Sequence, residues 1–257
     1  MQKLEALRAA LILHGNMLAN VTLDAANWKD FQPQLEAFLD TLKVSGSKLK
    51  VELPAWNLPA ATRNEGLTIP AQVNYVGKGA NLYKLGYKLH GSVQVINNYL
   101  GTTWLWEKIR VQGGAYGGFS SFDLHSGVFT FLSYRDPNLL ASLDNYDATA
   151  GFLRSLELSD EELTKSIIGT IGDLDAYQLP DAKGWTSMTR SLIGMTDARR
   201  QQFRDEVLGA TVKDFKSFGE MLAEVAKHGE VVVLGSAEAI EKANKEREGL
   251  LEVKKVL

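Results

Sequence analysis

Residues 104–134, WLWEKIRVQGGAYGGFSSFDLHSGVFTFLSY, decide how the rest of the chain is read. Upstream of their centre a helix is expected from Ser92, with Ile96, Tyr99, Leu100, Thr103, Trp106 and Ile109 at roughly helical spacing, ending at Gly113. Downstream, Phe119 to Ser133 reads as two strand-like runs about Ser126-Gly127, the second rich in β-formers from Val128 to Tyr134. Between them stands Arg110-Val-Gln-Gly-Gly-Ala-Tyr116-Gly-Gly. Its glycines, Gly113, Gly114, Gly117 and Gly118, permit positive φ and let another chain approach closely. A fixed cation and a phenol are thus presented on a turn between a helix and a strand. One interpretation has Arg110 answering the negative end of the helix dipole while Tyr116 fills a gap. The other has both donating hydrogen bonds to an oxygen that becomes anionic during a reaction.

The chain has 257 residues, enough for one large domain or one domain with part of another. Apolar and charged fractions of 45% and 23% are those of an ordinary globular protein. A net charge of −3 provides no basic field to hold nucleic acid or an anionic membrane. No apolar run approaches the length of a membrane span, and the absence of cysteine excludes disulfides, thiolate nucleophiles and cysteine zinc sites.

Residues 2–10 read as a helix already under way, with no targeting peptide before it. Residues 11–22 suggest a strand. Asp24 then opens a helix with Trp28, Phe31, Leu35, Phe38, Leu39 and Leu42 on one face, a stripe that some partner surface must bury. Val44 to Arg63, with Pro54 and Pro59, reads as a linker. Glu65 to Val76 is strand-like but interrupted by Pro70, which fits an edge or a bulge, and Gly77 to Gly91 reads as a connection. Asp136-Pro-Asn138 begins a helix with the proline near its first turn, Ser159-Asp-Glu-Glu162 is a capping sequence for another, and Thr170 to Gly184 is a polar interruption before further helices. Glu230 to Gly235 is a short buried strand, Ser236 caps a helix, and Leu251 to Val256 is a candidate last strand. The fold class expected is α+β, with helices packed on a mostly antiparallel sheet.

None of the four histidines, His14, His90, His125 and His228, sits in a zinc-protease motif, and the pairs His125 with Asp123 and His228 with Glu224 fall short of three protein ligands. Asp173, Asp175 and Asp181 fit no calcium loop. The glycine loop lacks the Gly-Lys-Ser/Thr ending of a phosphate loop and follows a helix.

Four segments together carry a resemblance: Arg110 to Gly118, Gln72-Val-Asn-Tyr-Val-Gly77, Phe131-Leu-Ser-Tyr-Arg-Asp-Pro-Asn138 and Thr170 to Gly184. Taken in chain order they resemble the C-terminal part of the presequence proteases, zinc metallopeptidases of the pitrilysin and insulysin type with an inverted zinc motif, and their wording is most similar to the plant and green-algal form. The resemblance implies four related α+β domains in two halves that close around an unfolded peptide. Zinc and the glutamate base lie in the N-terminal half. Residues 1–50 would be the tail and linker of the third domain, and 51–257 the fourth, noncatalytic one. The family's substrate-contacting arginine and tyrosine map onto Arg110 and Tyr116, with Gly113, Gly114, Gly117, Gln72 and Asn74 as substrate-lining candidates. By the same resemblance, this chain holds no metal or other cofactor, zinc belongs to the full-length enzyme, and the chain alone is inactive. Its partners are the N-terminal catalytic half and unstructured peptides such as cleaved targeting sequences, with neither nucleic acid nor membrane. The compartment implied is the mitochondrial matrix, the chloroplast stroma or both. The alternative is a stand-alone noncatalytic module that binds peptides or a partner, which should bury the stripe from Trp28 to Leu42 within itself.

Overall fold

A computed structural model describes residues 1–11, 17–42 and 64–256. In chain order its elements are α1 (Gln2–Leu11), α2 (Ala25–Asp40), β1 (Asn64–Thr68), β2 (Tyr75–Asn81), α3 (Ser92–Thr102), a π-helical turn (Trp106–Gln112), β3 (Gly117–Phe122) and β4 (Val128–Tyr134). There follow α4 (Leu140–Arg154), α5 (Asp160–Leu174), α6 (Pro180–Leu192), α7 (Asp197–Leu208), α8 (Val212–His228), β5 (Glu230–Gly235), α9 (Ala237–Glu246) and β6 (Glu252–Lys255). The chain divides into two compact units, residues 1–59 with 177–197, and residues 60–176 with 198–257.

In the first unit, Asp24 caps α2 as its position predicts, its Oδ1 accepting from the N–H groups of Ala26 and Asn27. No residue of α2 is buried: Trp28, Phe31 and Phe38 are exposed, while Leu35 and Leu39 are half-covered. Of the strand expected at 11–22, residues 12–16 lie outside the described residues and 17–22 are not extended into a sheet. The linker expected at 44–63 also lies outside them.

The second unit is built on a six-stranded sheet of order β3-β4-β2-β5-β1-β6. Pairing is antiparallel from β3 through β5 and parallel at β5-β1-β6, so the sheet is mixed with an antiparallel majority. One face is covered. Val76 of β2, Phe129 and Phe131 of β4, and Val231 and Val233 of β5 pack with Ile96 and Leu100 of α3, Leu143 and Tyr146 of α4, and Phe215, Phe218 and Leu222 of α8. Each such side chain contributes roughly 1.5–3 kcal/mol by leaving water. Phe131 stacks on Tyr146 at 5.1 Å, and the buried Tyr146 hydroxyl, its pKa pushed up by desolvation, donates to the Val76 carbonyl. Lys78 brings a charge into this face and meets both Asp147 of α4 at 2.5 Å and the Ala226 carbonyl near the end of α8 at 2.9 Å.

The opposite face is open. Register places Phe119, Leu132, Gly77 and Val232 in one row across β3, β4, β2 and β5, because directly opposed residues share a face. A concavity of about 580 Å³ lies over Gly77, Gly79, Thr130, Leu132 and Val232, with Lys84, His228 and Glu230 at its border.

Several boundaries depart from the sequence pattern. The stretch Glu65–Val76 is two strands with Pro70 in the turn between them. Neither is an edge: β1 lies between β5 and β6, and β2 between β4 and β5. Gly77 to Asn81 belongs to β2 rather than to a connection. There Gly79 is required by packing, since a Cβ would stand 2.6 Å from the Phe129 carbonyl oxygen. The polar interruption at 170–184 shrinks to five residues, because α5 runs to Leu174 and α6 starts at Pro180, which fits a first helical position.

Candidate functional site

The single helix expected from Ser92 to Gly113 is broken. The Thr102 and Thr103 hydroxyls turn back to the Asn98 and Tyr99 carbonyls, at 3.0 and 2.6 Å, and α3 ends there. A π-helical turn takes over at Trp106. π-turns are rare and occur frequently at functional sites. Within it Ile109 is buried, and a Cβ on Gly118 would stand 2.6 Å from the Ile109 Cβ, so Gly118 lets β3 pass close beneath the turn. The turn closes with the Ala115 N–H on the Ile109 carbonyl and with Gly114 at φ +76°, the left-handed region glycine accepts without penalty.

The wider turn leaves Trp106 outward, 47% exposed, instead of on the helix's buried face as its spacing predicts. The Arg110 guanidinium lies over the Trp106 ring at 4.3 Å and near the Tyr116 ring at 5.7 Å. Tyr116 is 63% exposed; its N–H donates to the Tyr134 carbonyl at 3.0 Å, and its ring meets the Tyr134 ring edge-on at 5.7 Å. Tyr134 in turn meets Tyr75 at 5.4 Å. Among the described residues, Arg110 makes no ion pair or hydrogen bond and the Tyr116 hydroxyl has no partner, so both present free donors to solvent. A guanidinium held by rings alone is fixed in place while its N–H groups stay available.

The other predicted residues distribute around this pair. Gly113 accepts from the Asn138 amide through its carbonyl at 2.6 Å, tying the loop to the start of α4, and Gly114 stands close to Pro137. The Phe119 ring folds back over Gly117 and would have to swing aside for a Cβ, which would otherwise stand 2.4 Å from it. Gln72 is exposed in the turn before β2. Asn74 is buried: it forms a reciprocal backbone bridge with Asp136, and its amide donates to the Asp136 carbonyl at 3.1 Å. Asp136 is itself buried and bonds the Ser142 hydroxyl at 2.6 Å. This clip fixes the end of β4 to the start of α4.

Sequence reasoning overlooked Trp106, Tyr134 and Tyr75 as neighbours of the pair. One signal was available for Trp106, which precedes Arg110 by four residues, the spacing at which helical side chains meet. No group of three or more His, Asp or Glu among the described residues can hold a metal. His125 joins Asp123 only through its backbone N–H, and His228 stands 3.5 Å from Glu224 on the surface of α8.

Residues 64–238 match the PreP C-terminal domain family, and the chain belongs to it. It is 49% identical over 254 residues to presequence protease 1, chloroplastic/mitochondrial, of Arabidopsis thaliana, covering 99% of this chain and 23% of that protein. It is 33% identical to protein HypA of Clostridium perfringens over 95% of this chain and 24% of the relative. The chain thus spans about a quarter of the length of these curated relatives. By fold it is similar to a peptidase M16 inactive domain from Pseudomonas fluorescens, with a TM-score of 0.55 and 16% identity over 84% of this chain and 52% of that one. It is likewise similar to pitrilysin, with a TM-score of 0.57 and 14% identity over 100% of this chain and 28% of that one.

Proposed function

We propose that this chain is the zinc-free C-terminal portion of a metalloendopeptidase that degrades presequences and transit peptides, and that Arg110 and Tyr116 donate hydrogen bonds to the substrate carbonyl. The observation that carries this reading is the pair itself: two ring-held, solvent-facing donors on a glycine-rich turn, with no acceptor of their own among the described residues. Donors fixed in advance toward the place where an oxyanion forms cost no reorganisation when the charge develops. Gly113 and Gly114 leave the head of the turn bare, so a peptide backbone can come near, and Gly117 lies beneath the Phe119 ring beside it. The open sheet face adjoining Tyr134 and Tyr75 extends this surface as a wall of the substrate chamber.

Zinc, implied for the full-length enzyme by its family, is assigned in this reading to the catalytic portion. The partners are that N-terminal half and unstructured peptides, and the compartment follows the organelle-targeted relatives: mitochondrial matrix, chloroplast stroma or both. The first fifty residues or so belong to the preceding domain. Trp28, Phe31 and Phe38 of α2, exposed among the described residues, favour a portion that packs on further structure over a self-sufficient binding module.

The test is a mixing experiment. The purified chain is assayed on an unstructured fluorogenic peptide, alone and with the zinc-bearing N-terminal half, using Arg110→Ala as control. Activity that arises only on mixing and falls with the variant is the expected result. Two halves that bind without producing activity would favour the noncatalytic module.

A further inference from the structure

Beside the pair lies a second guanidinium. The β2–β4 ladder runs from Gly77 opposite Leu132 to Asn81 opposite Val128, and its continuation would set Asn74 opposite Arg135. Asn74 instead bridges Asp136. Strand β4 therefore carries one additional residue, a β-bulge, and that residue is Arg135. Its φ is +49°, the left-handed region that a side chain of this kind rarely enters, and it is the only non-glycine among the described residues with positive φ. In a regular strand Tyr134 and Arg135 would point to opposite faces. The bulge undoes that alternation, and the Arg135 guanidinium lies over the Tyr134 ring at 5.6 Å. It is exposed and, like Arg110, makes no ion pair or hydrogen bond among the described residues.

The result is a strip in which two uncommitted guanidinium groups flank two tyrosine rings, in the order Arg110, Tyr116, Tyr134, Arg135. A backbone strained in order to aim a cation at a site already furnished with donors marks a binding contribution. Glycine at this position would relieve the strain and serve the turn equally well.

We propose that Arg135 is a carboxylate-binding residue of the peptide site, taking an acidic side chain or the C-terminal carboxylate of the substrate while the peptide lies across Tyr116 and Tyr134. This rests on the proposed role of Arg110 and Tyr116 as carbonyl donors, and adds to it a preference for where negative charge sits along the peptide. The planar fork of a guanidinium matches a carboxylate in two parallel hydrogen bonds, which neither tyrosine can supply.

The experiment uses the full-length peptidase and a peptide series sharing one cleavage site. The series carries a free or amidated C-terminus, and glutamate or glutamine at successive positions beyond the scissile bond. For the carboxylate-bearing peptide that fits, Arg135→Ala is expected to raise KM about tenfold with kcat unchanged, the size of one lost charged hydrogen-bond pair. Arg135→Lys should restore part of the affinity. The amidated or glutamine counterpart should show no difference in KM between the parent and the Arg135 variants, and which peptide change abolishes the difference tells terminus from side chain. Arg135→Gly separates binding from folding: it should melt at a higher temperature than the parent, by relief of strain, and still lose the carboxylate preference. If KM shifts alike for charged and neutral peptides, or for none, the proposal is overturned. Arg110→Ala, assayed on the neutral peptide, reports on the carbonyl-donor role independently, because that substrate makes no demand on Arg135.

Discussion

The arginines of the helical side and those of the glycine turn are employed in opposite ways. Arg154 holds Glu220 at 2.8 Å, Arg204 holds Asp175 at 2.6 Å, and Arg247 holds Asp144, so each joins one helix or its end to another element. Lys78 does the same from within the covered face. Arg110 and Arg135 sit on aromatic rings and, among the described residues, hold no carboxylate. The same side chain thus serves cohesion in one region and is withheld from it in the other. On the π turn and at the bulge, these two guanidinium groups lie on rings and keep their hydrogen-bond donors free among the described residues, available to something outside the fold.

The contrast can be broken by measurement. On the cohesive side, Asp147→Ala leaves the nearly buried Lys78, 7% exposed, without its carboxylate, and should lower unfolding free energy by about 3 kcal/mol in urea titration. No loss would mean that the Ala226 carbonyl alone satisfies the ammonium. On the turn side, Trp106→Ala should cost turnover in the full-length enzyme about fivefold, equivalent to about 1 kcal/mol of cation–π contact that keeps Arg110 in place, while the melting temperature stays where it was. A large drop in melting temperature instead would assign Trp106 to packing. Arg154→Ala, which opens a half-exposed pair, should change stability by about 0.5 kcal/mol at most.

The smallest effect is one of pH. The Arg204 hydrogen bond holds the exposed Asp175 carboxyl below its ordinary range. A lowered folded-state pKa means that the contribution is complete above the unfolded value, near pH 4, and fades as pH falls through the folded one. Thermal melts should therefore show a shallow decline below about pH 4, and Arg204→Ala should make it shallower still. An unchanged slope in the variant would count against the pair.

The sequence carried the hairpin, the caps at Asp24, Ser159 and Ser236, and the strand at 230–235 clearly, because each depends on local chemistry that a short window contains. It misled where tertiary contact overrides local pattern. Gly77 and Gly79 resemble loop residues, yet they occupy an interior strand because neighbouring strands and side chains come so near. Trp106 follows the helical stripe, yet two threonine hydroxyls end the α-helix before it and the π turn rotates it outward. Arg110 and Tyr116 could be singled out from spacing and glycine content. Arg135 could not, because a bulge is a statement about the partner strand, and the partner of Asp136 lies 62 residues away.

The most direct measurement is the turnover of Arg110→Ala and Tyr116→Phe in the full-length peptidase, with bound zinc and melting temperature determined on the same samples. The account predicts that each variant loses activity by on the order of 2–4 kcal/mol of transition-state stabilisation, largely in kcat, with metal content and melting temperature as in the parent. Parent-like turnover in both variants would contradict it and leave the two side chains as ornaments of a turn.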